Sequence, residues 1–393
     1  VNHPTRPRWF AVLVVVACVT SARADKPADR KYELDAPPLT IFDRLEGLKL
    51  GDVPRLPDDE RKLLLAAWGR KEQPPAEVEA DVIFDAMLFA SGVEEAEPRR
   101  KYRERFDALL ADAKAAVKDA KTDRDRGEGV MNLLHATVMK KGYEGTQTSL
   151  AAVFDTGTYN CVSASAMYYL VASRVGLKLQ GISIPGSEYQ PGHASLDLID
   201  GPDRVQIEPT NPDRFDWAAK LKRPGVQVIG VVPDREKGHA VDALGIAAMI
   251  YSNRGVALAQ EKPARRLAAA RCYLAALALD PTDGTASKNL LSVFVNWGPD
   301  LMADKKYEDA VRALAFGLSF APKAKALQNN HHVAWEKYLD AAVDAGDDPA
   351  AVALIARAAK AVPTEKDFRN SAHWFIRAGQ RHAQAKDWAC RWP

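Results

Sequence analysis

Cysteine is scarce in this chain, with four residues among 393: Cys18, Cys161, Cys272 and Cys390. That excludes a scaffold built on disulfides. A continuous apolar run of about 20 residues, the length needed to cross a bilayer, is also missing. Neither sign of charge is in excess. The 54 Lys and Arg against 52 Asp and Glu leave a formal net charge of +2, so electrostatics forces no partner class and no nucleic-acid partner is expected. No Cys/His cluster has the spacing of zinc ligands, and neither a metal nor a cofactor is expected. His331-His332 reads instead as polar helix surface. The length suggests two or three domains, with ample material for a core.

What is present begins with a targeting pattern over residues 1–24. Arg6 and Arg8 precede an apolar stretch at 9–17, and Ala22-Arg23-Ala24 has the small-x-small form of a cleavage site. Val15-Val16-Ala17-Cys18 also fits lipid attachment at Cys18, which would tether the chain to a membrane. Both routes lead out of the cytoplasm, to the periplasm or the cell surface. Residues 25–38 form a charged, proline-containing linker, expected to lack structure. Residues 39–125 are expected to be helical, with helices over 58–70, 76–89 and 99–118. Asp58-Asp59-Glu60 sits at a helix start, where acids suit the dipole. The basic cluster Arg99-Arg100-Lys101 is interleaved with acids and reads as a solvated face. Helical segments at 129–141 and 148–155 then lead up to residue 161.

Tyr159-Asn160-Cys161-Val162-Ser163 opens a well-marked helix. Asn160 is a good N-cap, an apolar stripe runs from Val162 to Val175 at helical spacing, and Gly176 supplies the stop. A thiol in the first turn faces unpaired backbone N–H groups and the positive end of the dipole. Both favour thiolate, so its pKa is expected below the free value of ~8.5. The bland alternative is that Cys161 is a small buried apolar residue.

The next segment favours chemistry. A strand is expected over 179–184, then a second from His193 in which Ala194, Leu196 and Leu198 share a face. Asp200-Gly201-Pro202-Asp203 is a turn, and 204–208 alternates again up to Pro209. If Asp200 pairs with Asp203, Glu208 falls opposite Ser195. His193 is then its diagonal neighbour on the same face, at ~7–8 Å between Cβ atoms. A register slip of one residue would separate the two. Thiol, imidazole and carboxylate in this order are the parts of a cysteine hydrolase or acyl-transferase, with Cys161 as nucleophile, His193 as base and Glu208 as orienting acid. The oxyanion would be met by the Cys161 backbone N–H and a second donor, for which Asn160 and Tyr159 are candidates.

Together, the blocks Tyr159 to Ser165, Pro191-Gly192-His193-Ala194 and Gln206-Ile207-Glu208-Pro209-Thr210 resemble the bacterial transglutaminase-like superfamily. The resemblance spans about residues 126–232. It implies an α+β, papain-like core in which the Cys helix packs on an antiparallel sheet, and it maps Cys161, His193 and Glu208 onto nucleophile, base and acid. The chain departs from the pattern twice. Glu208 stands where Asp is commoner, and Ser195 stands where an aromatic often follows His-Ala. On this reading residues 126–240 form the transglutaminase-like domain.

Residues 241–393 carry a repeat. Segments 271–281, 312–322 and 353–363 match one another, and Pro281, Pro322 and Pro363 are 41 residues apart. Each segment is preceded by another helix, over 251–260, 291–306 and 333–345. Two helices per unit resemble tetratricopeptide repeats, although the period exceeds the usual ~34. A fourth unit begins near Trp374. Such an α-solenoid either presents a concave groove to a peptide or protein partner or braces the preceding domain. Cys272 and Cys390 lie almost three units apart, so all three cysteines of the mature chain are expected as free thiols. Two function classes follow. One is an exported hydrolase or acyl-transferase acting on peptide or other amide bonds, and the other is an inactive scaffold that binds partners through the repeats.

Overall fold

The computed structural model describes residues 36–50, 55–69, 79–186, 192–216, 237–346 and 348–361, with short pieces at 373–374, 376–377 and 379–380. The expected targeting segment, Cys18, Cys390, Pro363, Pro191 and nearly all of the linker lie outside these residues. The described chain is mostly helical, with one small antiparallel sheet, and is broadly α+β. None of its helices is long and apolar enough to cross a membrane.

Four helices come first: α1 (Pro38–Gly47), α2 (Asp58–Gly69), α3 (Ala80–Ala90) and α4 (Ala96–Ala116). α1 falls in the region expected to be helical, where the sequence marks no individual helix ahead of residue 58. It starts at the last residue of the expected linker, because Pro38 is tolerated where a helix needs no N–H donor. α5 (Asp123–Ala136) begins six residues before the expected 129, at a capping box in which Thr122 and Asp125 exchange hydrogen bonds. Two short pieces, β1 (Gly142–Tyr143) and β2 (Thr158–Tyr159), pair in parallel on either side of α6 (Leu150–Thr156).

α7 (Cys161–Arg174) is buried almost all round, and from Cys161 to Tyr168 every residue is covered. A helix with no polar face belongs in the middle of a fold. Here β3 (Leu179–Ile184) and β4 (His193–Asp200) pack on one side of it, and α3, α4, α5 and α6 pack on others. β5 (Asp203–Ile207) and β6 (His239–Val241) complete a sheet of order β5-β4-β3-β6, antiparallel throughout. Ala194, Leu196, Leu198, Val205 and Ile207 give it a fully buried face.

The remaining helices are α8 (Ala243–Gln260), α9 (Arg266–Leu279), α10 (Gly284–Ala303), α11 (Tyr307–Phe320), α12 (Lys325–Ala345) and α13 (Asp348–Ala361). Each packs on the next. Close approach is built into the sequence. A Cβ on Gly298 of α10 would lie 2.5 Å from Leu314 of α11, and one on Gly255 of α8 would lie 2.7 Å from the Tyr273 ring of α9. Leu274, Leu277 and Leu314 are buried between these helices, while Val256 and Leu318 are only half-buried. His331 departs from expectation. It lies in the core, 6% exposed, and accepts a hydrogen bond from Trp335 Nε1 at 3.2 Å. The N-terminal helices pack directly on this set, α3 on α8 and both α1 and α2 on α9, and share its apolar core.

Candidate active site

The helix start that carries Cys161 is held from several directions. Asn160 Oδ1 accepts from the N–H groups of Val162 at 3.0 Å and Ser163 at 3.1 Å, while Ser163 Oγ accepts from the Asn160 N–H at 3.0 Å. This cap does not use the N–H of Cys161. Asn160 Nδ2 donates to the Gly145 carbonyl at 3.2 Å, and Glu144 N–H donates to the Tyr159 carbonyl at 2.8 Å. The segment after β1 is thereby laced to the segment before α7.

His193 is the first residue of β4, paired with Ile184 at the end of β3. The hairpin closes as Asp200↔Asp203 and its ladder ends at Leu196↔Ile207, one residue short of Glu208. His193 Nε2 lies 2.8 Å from Glu208 Oε2. Thr210 Oγ1 donates to Glu208 Oε1 at 3.3 Å, so both carboxylate oxygens have a partner. The backbone around the acid is folded as well: Glu208 N–H donates to the Arg214 carbonyl and the Glu208 carbonyl accepts from Asn211 N–H. The Cys161 thiol lies near enough to the same imidazole to perturb its charge. Burial alone would push the His193 pKa down. The hydrogen bonds and negative charge offered by Cys161 and Glu208 outweigh it and raise the value to about 10.

The two oxyanion candidates are placed differently from the expectation. The Asn160 carboxamide is committed to the cap and to Gly145. The Tyr159 hydroxyl donates to the Thr210 carbonyl at 3.3 Å and lies 3.5 Å from His135 Nδ1. Neither side chain is free to turn toward the sulfur. The group that does meet it is Tyr143, which the sequence reading missed. β1 pairs Tyr143 with Tyr159, and the Tyr143 hydroxyl lies near enough to Cys161 for the two to interact electrostatically. The residue is 59% exposed, yet the phenol is pushed up to about 12, first by desolvation and then by Cys161 and Glu208. A two-residue strand has no alternation to read, so periodicity carried no signal for it.

Cys272, the other free cysteine among the described residues, differs in kind. It is 3% exposed in α9, and burial pushes its pKa up to about 11. No group of His, Cys, Asp or Glu among the described residues is placed to hold a metal ion. No family model, curated protein or solved structure matches this chain.

Proposed function

We propose that this chain is an exported, transglutaminase-like cysteine hydrolase or acyl-transferase that acts on peptide or other amide carbonyls. The observation that carries the reading is one imidazole that lies 2.8 Å from Glu208 Oε2 and is electrostatically linked to the Cys161 thiol. A scaffold has no use for that chain of contacts at the start of a buried helix. The Cys helix lying against the antiparallel sheet supports a papain-like core, and the paired helices from α8 to α13 support a tetratricopeptide-like solenoid that recruits a peptide or protein partner.

In this mechanism His193 holds the proton of Cys161 as imidazolium, and the thiolate attacks the carbonyl carbon. The oxyanion that forms is met by the Cys161 backbone N–H and the Tyr143 hydroxyl, which turns to donate to the new oxyanion. The imidazolium then protonates the leaving amine as the C–N bond breaks, leaving a thioester. Neutral His193 takes a proton from water or from an acceptor amine as that nucleophile attacks the thioester, and the thiolate leaves. Glu208 keeps the ring oriented throughout.

Labelling tests this directly. Iodoacetamide at pH 7, read by peptide mapping, is expected to modify Cys161 well ahead of Cys272. Equal or reversed labelling would remove the case for an activated nucleophile and leave the scaffold.

A further inference from the structure

α5 carries none of the three reacting groups, yet it grips the acid-bearing strand at both ends. In its first turn Arg124 spans the β4–β5 hairpin. Its Nε lies 3.0 Å from Asp200 and its Nη2 3.3 Å from Asp203, while its Nη1 lies 2.8 Å from Asp216 beyond the strand. In its last turn His135 Nε2 lies 3.0 Å from the carbonyl of Pro209, the residue after Glu208. Burial pushes the His135 imidazole pKa down. The neutral ring then donates from Nε2, and its Nδ1 faces the Tyr159 hydroxyl that holds the Thr210 carbonyl.

The spacing fits. Eleven residues separate Arg124 from His135, about three helical turns, so both project from one face about 16 Å apart. Asp203 and Glu208 are five strand steps apart, also about 16 Å. Between the anchors the helix lies close. Tyr168 donates to the Gly127 carbonyl at 2.9 Å, and a Cβ on Gly127 would lie 2.6 Å from the ring of Phe215, which itself bridges to Ile207.

The acid needs such a splint. The β4–β5 ladder ends at Ile207, and Pro209 has no N–H with which to continue it. Glu208 is therefore held by the groups around it rather than by sheet pairing. We propose that α5 is the positioning element of the site, with Arg124 and His135 as positioning residues that fix Glu208 against His193. This rests on the Cys161–His193–Glu208 reading.

The test is the pH-rate profile of iodoacetamide alkylation at Cys161 in the full chain, with folding of each variant checked by near-ultraviolet circular dichroism. Glu208→Gln sets the reference loss of rate at pH 6.5. His135→Leu is expected to lose rate to a similar degree, because a misplaced acid no longer orients the imidazole. His135→Gln, whose carboxamide still reaches the Pro209 carbonyl, should return the wild-type profile. The double variant Glu208→Gln/His135→Leu should be no slower than Glu208→Gln, since both changes remove one function. Should His135→Leu not fold, Arg124→Met at the more exposed anchor is expected to show the same non-additive loss. A wild-type profile in His135→Leu beside a slowed Glu208→Gln overturns the splint and leaves the triad standing, and so do losses that multiply in the double variant. A wild-type profile in Glu208→Gln itself overturns both.

Discussion

Arg271→Met is expected to cost about 3 kcal/mol at pH 7, and to cost far less at pH 5. Glu60 in α2 is fully buried, with Oε1 accepting from the Tyr251 hydroxyl at 2.8 Å and Oε2 from Arg271 Nη2 at 2.6 Å. Arg271 also meets Glu94 at 3.1 Å. Burial drives the Glu60 carboxyl above its ordinary value of 4.5, while Arg271 and Tyr251 hold it down. Without the cation, the carboxyl takes up a proton rather than remain charged in the core. Keeping a group of ordinary value 4.5 protonated at pH 7 costs about 3.4 kcal/mol, at 1.36 per unit. That agrees with the ~3–5 kcal/mol typical of breaking a buried pair from one side. At pH 5 the same cost falls to about 0.7 kcal/mol. The sign follows from proton uptake: an acid raised in the folded state binds its proton before the unfolded chain does, so stability rises as pH falls. Urea unfolding of both proteins at pH 5 and pH 7 reads the difference. Replacing both partners, as Glu60→Leu/Arg271→Met, should come within about 1 kcal/mol of wild type. A loss below about 1 kcal/mol at pH 7, or one that is the same at both pH values, would refute this account of how α2 is held on α9.

Gly298→Ala should destabilise by about 1–2 kcal/mol, because crowding against Leu314 at 2.5 Å outweighs the helical gain of about 1 kcal/mol. Gly284→Ala, which meets nothing within 4 Å, should be neutral or mildly stabilising by the same thermal unfolding assay. Tyr143→Phe should slow acylation by p-nitrophenyl acetate roughly 10²-fold, as loss of an oxyanion donor does. The same change should alter iodoacetamide alkylation by less than about threefold, since that displacement develops no oxyanion. Equal effects on both reactions would mean that Tyr143 acts on the sulfur alone.

The hairpin was legible because a two-residue loop leaves few registers. With Asp200 paired to Asp203, the parity of every later residue is set, and His193 and Glu208 fall on one face. The start of α7 was equally plain, since Asn160 is followed at once by the apolar stripe. Helix starts elsewhere were read late. α8 begins at Ala243 and α12 at Lys325, eight residues ahead of the expected 251 and 333, because their first turns lack the periodic stripe. Charged residues misled for a different reason. Glu60 looks like an ordinary first-turn acid, and its partner lies 211 positions away. Nothing local distinguishes a buried ion pair from two solvated charges. β6 was missed on similar grounds, since its three residues are identified as strand only by pairing with β3.

The central claim is that His193 and Cys161 act as a coupled pair, and the alkylation rate of Cys161 against pH tests it most directly. An imidazole with its pKa raised to about 10 carries its proton through neutral pH, so it supports the thiolate there and ceases to do so as pH rises past that value. The account predicts fast alkylation well below pH 8 in the wild type. In His193→Ala the rate at pH 6.5 should fall by at least tenfold, recovering only toward alkaline pH, where a free thiol of ordinary value near 8.5 ionises unaided. A wild-type profile that rises only around pH 8.5, left unmoved by His193→Ala, would contradict it.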